Sequence, residues 1–128
     1  MLSALVAAAA LLSPQAGPAA YTYIHCLNDG GSRYVRRRRP AACAHYGPGG
    51  SFGGGVNLTH IHWSSYTGRE ARGKATECGF HLPCANIKAS IRAYRVRVVR
   101  GRHVYTRLRA TSKYGTTTVR LATYPHRA

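Results

Sequence analysis

The hydrophobic positions divide the chain into an apolar start, a turn-rich middle and a C-terminal half with β periodicity. From Val56 onward β-branched and aromatic residues dominate, and no stretch keeps a helical apolar period. The run Val56-Asn-Leu-Thr-His-Ile-His-Trp63 reads as a strand whose alternation fails between Leu58 and Ile61, as a bulge would make it fail. Residues 87–99, 104–110 and 116–121 provide three further predicted strands. One short helical turn is expected near residues 69–74, and residues 47–55, being mostly Gly, are expected to form a loop. The fold class that follows is all-β, a small antiparallel sandwich or barrel with Trp63 as its core anchor.

The segment around Gly101 makes the sharpest expectation. With a three-residue loop Arg100-Gly101-Arg102, Val98 faces Val104, Val96 faces Thr106 and Tyr94 faces Leu108, a consistently apolar set. The opposite face then pairs Arg97 with Tyr105, Arg95 with Arg107 and Ala93 with Arg109. Two-residue loops mix apolar and charged residues on both faces, so the three-residue loop is predicted. It buries Trp63, Val96, Val98, Val104 and Leu108 together.

The start of the chain reads differently. An apolar run from Leu2 to Leu12 is followed by Ser13-Pro14 and small residues up to Ala20, the pattern of a secretory signal peptide. No Lys or Arg precedes that run, so its positive end is the initiator amine or an upstream start. The expected organisation is a signal peptide over 1–20, a flexible basic arm over 21–39 and one β-rich domain over 40–128. The signal-peptide pattern leads to the expectation of a protein outside the cell or on its envelope, with no transmembrane span expected in the mature chain. Export agrees with the four cysteines, Cys26, Cys43, Cys78 and Cys84, an even number suited to an oxidising compartment. Four cysteines allow three connectivities. The short turn-prone stretch between Cys78 and Cys84 favours local closure, leaving Cys26 with Cys43.

Charge narrows the function. The chain has 19 Lys and Arg against 3 Asp and Glu, a formal net charge of +16. Asp29, Glu70 and Glu77 are too few for a paired-carboxylate hydrolase, and the long-range field attracts polyanions. Arg outnumbers Lys by 16 to 3, a usage that also reflects GC-rich coding. Two basic surfaces are candidates for the polyanion. One is the hairpin face of Arg95, Arg97, Arg107 and Arg109, with Tyr105 as a stacking platform. The other is Arg36, Arg37, Arg38 and Arg39 on the arm.

Metal and catalytic readings are weaker. His60 and His62 form a His-x-His that would need His45 or His81 as a third ligand, and no carboxylate stands nearby to orient the rings. No pair of histidines is singled out by spacing for acid–base chemistry, so no cofactor and no catalysis are expected. The reading is therefore a secreted cationic binding domain for nucleic acid, an anionic wall polymer or lipid headgroups. Its alternatives are a small basic enzyme such as a nuclease or toxin, and a structural envelope protein without a ligand.

The order of short motifs, Pro40-Ala-Ala-Cys43, then Leu58-Thr-His-Ile-His-Trp-Ser-Ser-Tyr-Thr-Gly68, Ala71-x-Gly73, Pro83-Cys84-Ala85 and Tyr105-Thr-Arg-Leu108, resembles a group of uncharacterised small secreted actinobacterial proteins. That resemblance implies secretion and a compact β-rich fold, and no activity. Tyr66 stands where the group usually has a second Trp, and Thr67 intervenes before Gly68.

Overall fold

A computed structural model describes residues 22–78 and 87–128. Among these residues nine strands follow in chain order: β1 (Ile24–Leu27), β2 (Arg33–Arg37), β3 (Cys43–His45), β4 (Val56–Tyr66), β5 (Ala71–Glu77), β6 (Ile87–Val99), β7 (Arg102–Ser112), β8 (Gly115–Arg120) and β9 (His126–Arg127). Strands β3 to β8 form one antiparallel sheet in sequence order, curled into a nearly closed barrel, and β1, β2 and β9 form a smaller sheet. The all-β expectation holds, and between sandwich and barrel the barrel is the outcome. The segment expected to be a signal peptide, His81 and Cys84 lie outside the described residues.

Alternation explains most of these strands. In β5 the sequence Ala-Arg-Gly-Lys-Ala-Thr-Glu buries Ala71, Gly73 and Ala75 and turns Arg72 and Lys74 to solvent. This strand replaces the helical turn expected at 69–74. Small inward residues are needed here: a Cβ on Gly73 would meet the His62 carbonyl oxygen at 2.4 Å. The bulge expected in β4 is present, between Thr59 and His62, with His60 in the left-handed region at φ 52°. It restores Ile61 to the interior and leaves His60 and His62 exposed.

The β6–β7 register differs from the predicted one. Val99 pairs with Arg102, Val98 with His103, Arg97 with Val104 and Val96 with Tyr105, so the loop is the two residues Arg100-Gly101. Both sit at positive φ, 52° and 77°, as the type I′ turn favoured in hairpins requires. The apolar pattern misleads because its parity changes partway along the strand. Arg95 lies at φ 59° and the ladder skips Arg95 and Thr106. On one side of that break Ala93 and Leu108 are buried together; on the other, Val96 packs beside the buried Tyr105. Val104 is buried, yet Val98 is 61% exposed, and Trp63 packs against the core while remaining partly accessible.

The core inside the barrel is built from Leu58, Ile61, Ile91, Tyr105, Leu108 and Val119 with several alanines. Residues 21–39, expected as a flexible arm, are instead folded from residue 22 onward. Asn28 Oδ1 accepts from the backbone N–H of Ser32 and Arg33 and closes the β1–β2 hairpin. Ile24, His25 and Cys26 are buried, and a disulfide joins Cys26 to Cys43 on β3. Cys78 is disulfide-bonded as well. Tyr23 continues β1 onto β7, donating to the His103 carbonyl and accepting from Tyr105 N–H, each at 2.9 Å. The N-terminal hairpin thus fastens to the barrel at β3 and at β7. A buried histidine ties the other side of the seam: His45 Nδ1 donates to the Tyr46 carbonyl and its Nε2 accepts from Ala122 N–H at 2.8 Å, linking β3 to the chain after β8. Tyr34 stacks on that ring with centroids 4.3 Å apart.

Candidate polyanion-binding face

Because Ala71, Gly73, Ile91, Ala93, Leu108, Ala110 and Val119 point inward, their neighbours on β5 to β8 point outward. Cross-strand register then assembles a basic grid. Arg72 opposes Arg92, Arg92 opposes Arg109, and Arg109 opposes Thr118. In the next row Tyr94 opposes Arg107, which opposes Arg120. Rows on one face of a strand lie about 7 Å apart and strands about 4.8 Å apart. Five guanidiniums therefore share one outer face.

Tyr94 organises the grid. The Arg92 guanidinium lies 4.4 Å and that of Arg109 5.3 Å from the Tyr94 ring centroid, and Arg109 Nη2 donates to the Tyr94 hydroxyl at 3.3 Å. Glu70 accepts from Arg72, and from Arg92 Nε at 2.8 Å. Hydrogen bonds from Arg72 and then Arg92 hold the Glu70 carboxyl below its usual range. Arg107 donates through Nη1 to the Thr106 carbonyl at 3.0 Å. Such anchoring reduces the rotamer freedom each guanidinium loses when an anion arrives.

The predicted site residues are only partly brought together. Arg107 and Arg109 lie on this face. Arg95 and Arg97 are exposed but do not oppose them: Arg97 pairs with the buried Val104, and Arg95 has no ladder partner. The expected Arg95–Arg107 juxtaposition does not occur. Tyr105 is no platform, being 0% exposed, with its hydroxyl donating to the Thr67 carbonyl and its pKa raised by burial. The parity change where the ladder skips Arg95 and Thr106 puts it inside, while Leu108 stays buried and Arg107 and Arg109 stay outward as expected. Of the four consecutive arginines, Arg36 pairs with His25 in β1 and lies 5.7 Å from the Tyr23 ring, while the Arg39 guanidinium lies 5.8 Å from the Tyr66 ring. Arg37, Arg38 and Arg39 are exposed. Sequence reasoning missed Arg72, Arg92, Tyr94 and Arg120. The signal that finds them is the outward parity of Arg-x-Tyr at 92–94 once a two-residue loop is assumed.

Among the described residues no group of three or more metal-ligating side chains occurs. His60 and His62 do share an exposed surface, whereas His45 is buried with both ring nitrogens engaged. No helix among the described residues is long and apolar enough to cross a membrane. No protein family, curated protein or solved structure matches the chain.

Proposed function

We propose that this chain is an exported, non-catalytic cationic binding domain whose partner is a polyanion held on the outer face of β5 to β8. The observation that carries the reading is the Arg92–Tyr94–Arg109 stack, flanked by Arg107, Arg120 and Arg72, with Glu70 bonded to two of its arginines. Export is supported by the apolar run Leu2–Leu12 and by disulfide bonding at Cys26, Cys43 and Cys78. The acid–base alternative has less support, since His25 is buried and His45 has both ring nitrogens engaged.

The partner is nucleic acid, an anionic wall polymer or an anionic lipid surface, and salt dependence separates specific geometry from bulk charge. Each phosphate that a variant no longer neutralises lowers the log–log salt slope by about 0.7 for a single strand and about 0.9 for duplex DNA. The test is fluorescence anisotropy of labelled oligonucleotide, anionic glycopolymer and anionic vesicles over a salt series. Changing Arg92, Arg107, Arg109 and Arg120 to Gln is expected to lower the nucleic-acid slope by about 2 to 3 units. The same change at Arg36, Arg37, Arg38 and Arg39 is expected to lower it by less. The reverse ranking, or no binding at low salt by the unaltered protein, defeats the proposal.

A further inference from the structure

All three lysines of the chain, against 16 arginines spread over the whole surface, line one groove. The groove lies on the outer side of β4 to β7, beside the arginine grid, with a volume of about 500 Å³, within the usual range for small-molecule sites. Topology makes the cluster. Lys74 on β5 opposes Ser90 on β6, which opposes Thr111 on β7; Thr76 opposes Lys88; Lys113 enters from the β7–β8 turn. The short Ser90 side chain lies at the centre of its row between Lys74 and Thr111, with Lys88 beside it on the same strand.

The remaining wall belongs to His60 and His62. Without the β4 bulge, continued alternation from the buried Leu58 would turn His60 inward and Ile61 outward. The left-handed conformation of His60 at φ 52° is strained for a residue with a side chain, and such strain persists where neighbours impose it. Its consequence is that both imidazoles reach the groove. None of Asp29, Glu70 and Glu77 lines it.

We infer that this groove is a binding site for a small phosphate-like oxyanion bearing about two charges or more, a phosphate monoester, inorganic sulfate or pyrophosphate. Three ammonium groups repel a metal ion, so the two histidines serve here as N–H donors. Lysine ammoniums are compact, rotatable point charges that can surround a tetrahedral anion, whereas the guanidinium fork suits planar bidentate contacts. Ser90 and Thr76 supply hydroxyl donors to the oxygens facing the sheet. The site does not depend on the polyanion reading, because a small anion fills it without touching the arginine grid.

Reductive methylation with labelled formaldehyde keeps the lysine charge and yields one dimethyl-lysine NMR signal per lysine. Titrated with pyrophosphate in near-physiological chloride, all three signals and the His60 and His62 ring protons are expected to shift along one saturating curve. Orthophosphate and sulfate arms decide which oxyanion is preferred, and acetate is expected to bind about tenfold more weakly or worse. Lys74→Gln with Lys88→Gln is expected to weaken pyrophosphate about tenfold, while Arg107→Gln with Arg109→Gln changes it less than about twofold. Unchanged amide spectra in both variants establish that they are folded. Linear shifts without saturation, lysine signals that titrate independently, or equal weakening by the arginine pair overturns the inference.

Discussion

Acid should loosen this protein through His25. The ring is fully buried, and among the described residues neither ring nitrogen meets a partner at hydrogen-bonding geometry. Burial, followed by the Arg36 guanidinium, lowers its pKa from 6.5 to about 4, with His126 and His45 adding to the shift and the Ala122 backbone offsetting part of it. Above pH 6.5 the imidazole is neutral whether the chain is folded or not, so it exerts no pH-dependent effect. Between 6.5 and about 4 the unfolded chain takes up a proton that the folded one refuses, and stability falls with pH. At 1.36 kcal/mol per unit the loss is about 2 kcal/mol at pH 5 and about 3 kcal/mol by pH 4. That is a large part of a typical domain's stability of about 5–15 kcal/mol. Burial also lowers the His45 pKa, which acts in the same direction, and protonating its Nε2 would break the bond from Ala122 across the seam. Urea unfolding followed by Trp63 fluorescence at several pH values measures the effect. His25→Leu removes an unpartnered buried ring, so its stability at neutral pH should be near the parent's or above it. The variant should lose about 2 kcal/mol less than the parent on going to pH 5. Equal pH profiles, or an NMR titration placing His25 near 6.5, would refute the reasoning.

Three other outcomes are expected. Val98→Lys should change stability by no more than about 0.5 kcal/mol, because Val98 is exposed; a loss of several kcal/mol on denaturant unfolding would restore the three-residue loop. Gly73→Ala should destabilise by about 1–3 kcal/mol, since the added methyl group meets the His62 carbonyl across the β4–β5 ladder, and thermal unfolding checks it. Replacing Cys26 and Cys43 together by Ala should cost about 3 kcal/mol and detach the N-terminal hairpin from β3, read as faster amide exchange over β1 and β2.

Much of this architecture was legible from residue patterns, and the places where it was not have identifiable causes. β-Branched and aromatic runs announced β4, β6, β7 and β8, and the failed alternation at Leu58 and Ile61 announced the bulge. Strand β5 escaped because its buried side is Ala71, Gly73 and Ala75, residues with weak strand preference that are chosen here for their small size. Arg36 to Arg39 looked like a solvated linker because charge repulsion is a local property. What orders Arg36 is distant: the pairing of β2 with β1, the disulfide to Cys43 and the Tyr23 ring.

The sequence by itself determined the all-β class and the sign of the surface charge and favoured the pairing of Cys26 with Cys43, since composition and short-range spacing act locally. Only the tertiary structure decided the β6–β7 register. A single left-handed residue, Arg95, breaks the parity on which an alternation argument depends, and a slip of one residue against β7 turned Ala93 inward and Tyr94 outward. The parity break moved Tyr105 from surface to core, and the one-residue slip set Tyr94 on the outside beside Arg92 and Arg109. The lysine groove is likewise a product of pairing: Lys74, Lys88 and Lys113 are far apart along the chain and become neighbours only when three strand registers are set at once.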